Sequence, residues 1–150
     1  MRHLTIISLI SALWLVGHGT AFAEGGYSGS NSRLSPIHEL IEDEQYQAAI
    51  DALQTALKDD ADDADLLNLL AFSQRKLGKF DIALVNYQKA LAIDPGHRWA
   101  DEYLGELYLQ MDQLEKAEGR LQVLDEECFF GCKEYDKLKR AIMNYRTNSQ

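Results

Sequence analysis

The stretch "EECFFGCKEY" holds the only two cysteines of the chain, Cys128 and Cys132. Thiols at this spacing have three chemistries open to them. They can pair as a structural disulfide, hold a soft cation such as Cu(I), or cycle as a redox couple whose thiol pKa is lowered by a helix N-terminus. A c-type haem is excluded, because no C-x-x-C-H occurs. Other chemistry finds little material. Beyond residue 23 only His38 and His97 remain of the four histidines, and each reads as a surface or turn residue. No Ser-His-Asp order, glycine-rich nucleophile turn or phosphate-cradling loop is present. The acidic run "KDDADDADLL" lacks both the D-x-D-x-D-G spacing and the later glutamate of a calcium loop. Its aspartates suit a turn and a helix start, where they cap free N–H groups and favour the helix dipole. Apart from the two cysteines, the chain therefore offers no catalytic residues, no metal site and no cofactor site.

Which thiol chemistry applies depends on the compartment. The chain opens "MRHLTIISLISALWLVGHGTAFAEGG". Arg2 and His3 precede an apolar run over residues 4–16, and Ala21-Phe22-Ala23 is the small-x-small pattern at which a signal peptidase cuts. The run is too short for a membrane anchor, which needs about 20 apolar residues. The expectation is a signal peptide over residues 1–23, cleavage after Ala23, and a periplasmic product. Removing it leaves 14 basic residues against 24 acids, a formal charge of −10. That balance, with no basic cluster, argues against nucleic acid and anionic membrane as partners, and no later run is long enough to insert. The charge is uneven. Residues 34–65 carry ten acids and one lysine, whereas residues 133–146 are net +3. The uneven charge fits solvated helix faces, a partner of basic character, or self-association through the unlike ends.

The elements that must position these residues are helices. Residues 24–35, "EGGYSGSNSRLS", are too polar to bury a core and read as a disordered leader. After them, apolar residues recur at helical spacing, and three segments align at an offset of 34. Tyr46-x-x-Ala49, Phe80-x-x-Ala83 and Leu114-x-x-Ala117 correspond, as do Leu53, Tyr87 and Leu121. Small residues at Ala71, Gly105, Ala49, Ala83 and Ala117 let helix axes approach, and Leu70, Tyr87, Leu104, Tyr108 and Leu121 fill the gaps between them. Gly78 ends one helix and Asp81 can help to start the next. Asp94-Pro95-Gly96 breaks the chain before Trp99. Ser35 as N-cap and Pro36 at the first helical position predict a short opening helix running to about residue 44. The stripe Tyr135, Leu138, Ile142, Tyr145 predicts a terminal capping helix.

This pattern resembles the tetratricopeptide repeat, over about residues 36–145. The resemblance implies an all-α, right-handed solenoid of seven helices. Its repeats would cover about 36–61, 64–97 and 98–131, with a capping helix at about 133–146. The segments "ADLLNLLAFSQRKLGKFDIALVNYQKALAIDPGHRWADEYLGELYLQMDQLEKAEGRLQVLD" and "CFFGCKEYDKLKRAI" are also similar to short exported tetratricopeptide proteins of Gram-negative bacteria. That similarity implies a periplasmic scaffold with no catalytic residues to carry over.

On such an architecture the working surface is the concave groove lined by the first helix of each repeat. In this register the groove carries Asn68, Phe72, Arg75 and Lys76, then Trp99, Glu102, Tyr103 and Glu106, with Asp65 and Leu109 at its margins. Aromatic anchors, an amide and charges of both signs suit a protein or peptide partner. Phe72 and Tyr103 are equally readable as core. The carboxylate clamp of some chaperone-binding relatives needs more basic residues than Arg75 provides, and Glu102 and Glu106 oppose a carboxylate ligand. By the same register Cys128 ends the third repeat, Phe129-Phe130-Gly131 is a turn, and Cys132 opens the capping helix. In an exported chain two cysteines this close pair, and closing the loop stabilises by roughly 2 kcal/mol in the chain-entropy model. Thiol-redox or copper handling through Cys128 and Cys132 stays open as the alternative function. It would show as free thiols or bound copper in the native protein.

Overall fold

The computed structural model describes residues 29–148, with side chains from residue 34 onward. The expected signal peptide lies outside the described residues. Seven helices and no strands are found among the residues described: α1 (Gly29–Glu42), α2 (Tyr46–Asp59), α3 (Ala64–Lys76), α4 (Phe80–Ile93), α5 (Arg98–Gln110), α6 (Leu114–Glu127) and α7 (Lys133–Asn148). None is long and apolar enough to cross a membrane. Consecutive helices pack on one another, α3 also meets α5, and α7 lies on both α5 and α6. The array is a tetratricopeptide-like solenoid with a terminal helix.

The 34-residue period is written into the backbone. Glu44, Gly78 and Asp112 occupy the left-handed region at φ 57°, 73° and 56°. After each, the next N–H reaches back five residues: Gln45 to the carbonyl of Leu40 at 2.8 Å, Lys79 to Gln74 at 2.9 Å, and Gln113 to Tyr108 at 2.8 Å. Only Gly78 adopts this conformation without a Cβ penalty. The far ends of the second helices repeat in the same way. The N–H groups of Asp60, Asp94 and Cys128 bond to the carbonyls of Ala56, Ala90 and Leu124 at 3.2, 2.8 and 2.9 Å. Cys128 thus holds the C-cap place that aspartates hold in the earlier repeats. Helix starts also correspond. Asp63 Oδ1 accepts from the Leu66 N–H at 3.0 Å, and His97 Nδ1 accepts from the Ala100 N–H at 3.2 Å. Asp81 is not a cap. It lies inside the first turn of α4, whose N-cap Lys79 makes no side-chain bond.

Ala49, Ala71, Ala83 and Ala117 are fully buried, and Tyr87, Leu53 and Leu124 fill the spaces around them. The core falls into two clusters, one around Ile37, Ile50, Leu53 and Leu66 and a larger one from Leu67 to Ile142. The opening helix differs from expectation. It begins by Gly29, inside the stretch read as leader, and Pro36 lies within it rather than at its start. The reason is apolar burial. Leu34 packs on the same cluster as Ile37 and Ile41, so the helical stripe continues ahead of the proline. One backbone hydrogen bond, the one Pro36 cannot donate, is given up for that contact.

Helix α5 receives Leu138 of α7 against Gly105. A methyl group there would lie 2.5 Å from Leu138 Cδ2 and 3.1 Å from Leu138 Cγ. Leu138 is itself fully buried, so it has little room to turn away. Gly105→Ala gains about 1 kcal/mol of helix propensity but incurs an overpacking cost of about 1–3 kcal/mol. The expected net result is a Tm several degrees lower in thermal denaturation. Adding Leu138→Val should restore part of the loss, because it removes the atoms that clash.

Candidate functional site

The inner face of the array is built on an aromatic run. Tyr46, Phe72, Tyr103 and Trp99 follow one another with ring centroids 6.3, 4.9 and 5.6 Å apart. They come from α2, α3 and α5, so helix packing alone brings them together. Arg75 fixes the middle of the run. Its guanidinium lies 5.4 Å from the Phe72 centroid and 5.6 Å from that of Tyr103, and it pairs with Glu106 at 2.9 Å. A guanidinium is suited to stacking on rings while its edge donates to a carboxylate. Burial, then the neighbouring Glu102, push the Tyr103 phenol up to about 12, which keeps it a neutral hydroxyl.

Between α1, α3 and α5 the surface opens into a hollow of about 350 Å³. Phe72, Trp99 and Tyr103 wall it, together with Leu34, His38, Ile41 and Leu69, and Asp65, Asn68 and His97 supply polar groups. Asn68 is almost wholly buried, and its Oδ1 has no hydrogen-bond partner among the described residues. His97 is buried too and does more than line a turn. With Nδ1 accepting from Ala100, the neutral ring carries its proton on Nε2, which donates to Asp65 Oδ1 at 3.1 Å. It thereby ties the start of α5 to the start of α3. A second, shallower hollow of about 270 Å³ lies between Arg75, Glu106, Leu109, Gln110, Ala141 and Tyr145.

The eight residues expected in the groove therefore separate. Asn68, Phe72, Trp99 and Tyr103 share the first hollow, and Arg75 and Glu106 line the second. Lys76 is exposed, its ammonium 5.5 Å from the Tyr46 ring. Glu102 is corrected from groove surface to core. It is fully buried, neither carboxylate oxygen has a hydrogen-bond partner, and Lys137 Nζ lies 3.8 Å away. The cause is α7, which packs over this part of α5. Lys133 and Lys137 of that helix also lie 4.3 and 4.8 Å from the Trp99 centroid. Sequence periodicity places Glu102 and Glu106 on one stripe and carries no sign that a later helix covers one of them. The contributions of His38, His97 and α1 were likewise not foreseen. The 34-residue match of His97 to Asp63 is the signal that identifies it as a helix cap.

Cys128 and Cys132 are joined as a disulfide, with Cα atoms 5.6 Å apart. The turn between them holds Phe129 and Phe130 edge to face, 86% and 97% exposed, outside the hollow. Gly131 adopts φ 84°.

A family model described as tetratricopeptide repeat matches residues 74–142. No curated protein matches the chain by sequence. Solved structures share the fold. The type III secretion chaperone SycD of Yersinia enterocolitica, in complex with a peptide of the translocator YopD, is 17% identical over 85% of this chain and 99% of its own, with a TM-score of 0.67. The tetratricopeptide domain of Sgt2 from Aspergillus fumigatus is 21% identical over 79% of this chain and 78% of its own, with a TM-score of 0.70. The second such domain of human RPAP3, in complex with an HSP70 peptide, is 19% identical over 77% and 93%, with a TM-score of 0.64.

The buried carboxyls set a pH dependence. Burial, then the nearby Glu106 charge, raise Glu102 to about 8, with Lys137 opposing. Burial raises Asp101 to about 6 against the pull of Arg120, 3.0 Å away. A carboxyl that holds its proton more tightly when folded stabilises fully below its unfolded pKa, and that contribution is lost as pH rises through the folded value. Tm should therefore fall by several degrees from about pH 5 to about pH 9, the Asp101 part first and the Glu102 part last. Glu102→Gln should flatten the upper part of the decline, from about pH 6 to about pH 9, in calorimetry across that range.

Proposed function

We propose that this chain, a tetratricopeptide repeat protein by its fold and by the match over residues 74–142, is a non-catalytic periplasmic scaffold. It holds a protein or extended peptide in its concave groove. The observation that carries the reading is the hollow between α1, α3 and α5, with three aromatic walls and a buried amide oxygen that no described residue satisfies. Such an oxygen costs about 1–3 kcal/mol until a donor reaches it. Two of the walls, Phe72 and Tyr103, are held in place by Arg75 and so are ordered before any ligand arrives, which lowers the entropic cost of binding. Two structural neighbours are seen with peptides, one from a translocator and one from HSP70. The export signal read over residues 1–23 supports the periplasm, and the Cys128–Cys132 disulfide suits that oxidising compartment. In this reading the disulfide anchors α7 and takes no part in binding.

The test is a photoreactive phenylalanine placed at Lys76, beside the groove, or at Val85, exposed on α4. Irradiation of intact cells should give a discrete protein adduct from position 76 and none from position 85. Phe72→Ala with Tyr103→Ala should cut that adduct at least tenfold in a chain that circular dichroism shows to be folded. An adduct from Val85 alone, or one indifferent to the double variant, would move the working surface off the groove.

A further inference from the structure

We infer that the hollow between α1, α3 and α5 receives a lysine or arginine side chain of the bound peptide. The inference rests on the groove reading and adds the chemistry of its ligand. Among the described residues that line the hollow, Asp65 is the only Asp, Glu, Lys or Arg. Its side chain is 68% exposed. His97 donates to Oδ1 and so holds the carboxylate in place while leaving Oδ2 for another donor. The other unmet group is Asn68 Oδ1, buried and also an acceptor. Two acceptors without donors call for a ligand rich in N–H. An ammonium has three and a guanidinium five. A peptide carboxylate would meet the Asp65 carboxylate on this lining.

The walls point the same way. Aromatic faces attract cations, and the chain already places its own on these rings. Arg75 covers Phe72 and Tyr103, and Lys133 and Lys137 lie over Trp99. Two of those cations have a carboxylate of their own: Arg75 pairs with Glu106 at 2.9 Å and Lys133 with Glu134 at 3.8 Å. The wider field agrees. Residues 34–65, which run through α1 and α2 to Asp65 at the start of α3, are net −9, so a basic segment is drawn towards this end of the groove.

A random dodecapeptide display library selected on the full chain tests this. Binding of the winning peptides is then followed by the fluorescence of Trp99. The winners should share one arginine or lysine. Replacing an arginine by citrulline, or a lysine by acetyllysine, which removes the charge and keeps the chain, should weaken binding at least tenfold. Asp65→Asn should do the same, and it keeps an acceptor for His97, so the fold is preserved. Asp65→Lys should abolish binding. Winners that depend on Phe72 and Tyr103 but tolerate the neutral residue and Asp65→Lys would overturn the ligand class and leave the groove intact. If no peptide binds better than it does to the Phe72→Ala/Tyr103→Ala chain, both readings fall.

Discussion

Leu138 fits where Gly105 has no side chain, and the C-terminal half of the molecule depends on that contact. The preceding repeat has Ala71 at the corresponding place, so the terminal helix is received in a notch one methyl deeper. Once α7 lies there, its lysines reach Trp99 and Glu102, the Tyr145 hydroxyl donates to Asp112 Oδ1 at 3.1 Å, and Arg146 pairs with Glu118. The disulfide holds the entry to the same helix. A terminal helix has a neighbour on one side only, so a covalent restraint at its start offsets part of the burial it lacks. Packing, charge and cross-link act on the same element, and what they define together is the far wall of the groove.

The inner face carries more buried charge than a scaffold needs for solubility. Arg75, Asp101, Glu102 and Glu134 are all buried. Burying ions is costly, and pairs of this kind contribute little net stability against apolar replacements of the same shape. Their effect here is geometric. Arg75 spans α3 and α5 through two rings and a carboxylate, Asp101 ties α5 to α6 through Arg120, and Glu102 faces α7 through Lys137. Each of these polar contacts therefore sets one helix against the next. The aromatic walls between them inherit that order, and a groove built this way presents its ligand with a surface already arranged.

Much of this was visible in the residues before any coordinates. The alanines at 49, 83 and 117, the glycine at 78 and the break at residues 94–96 are residue types that only one backbone arrangement uses well, so the repeat could be read from them. Other features had no such mark. Glu44 and Asp112 take the same left-handed turn as Gly78, yet neither type announces it. Pro36 pointed to a helix start, and the burial of Leu34 overrode it. Glu102 kept the periodicity of a groove residue, and its burial follows from a helix some 30 residues later in the chain. Local preference was readable where it agreed with packing. It misled where a distant contact decided the outcome.

The claim that the concave face is the working surface is tested most directly by nuclear magnetic resonance. The uniformly nitrogen-labelled chain would be titrated with a peptide selected on it. The shifts that move should cluster on α1, α3 and α5, with the indole N–H of Trp99 and the side-chain amide of Asn68 among the largest. Shifts confined to the outer face of α4 around Ile82 and Val85, or to the turn at Phe129 and Phe130, would contradict the account and place binding elsewhere on the molecule.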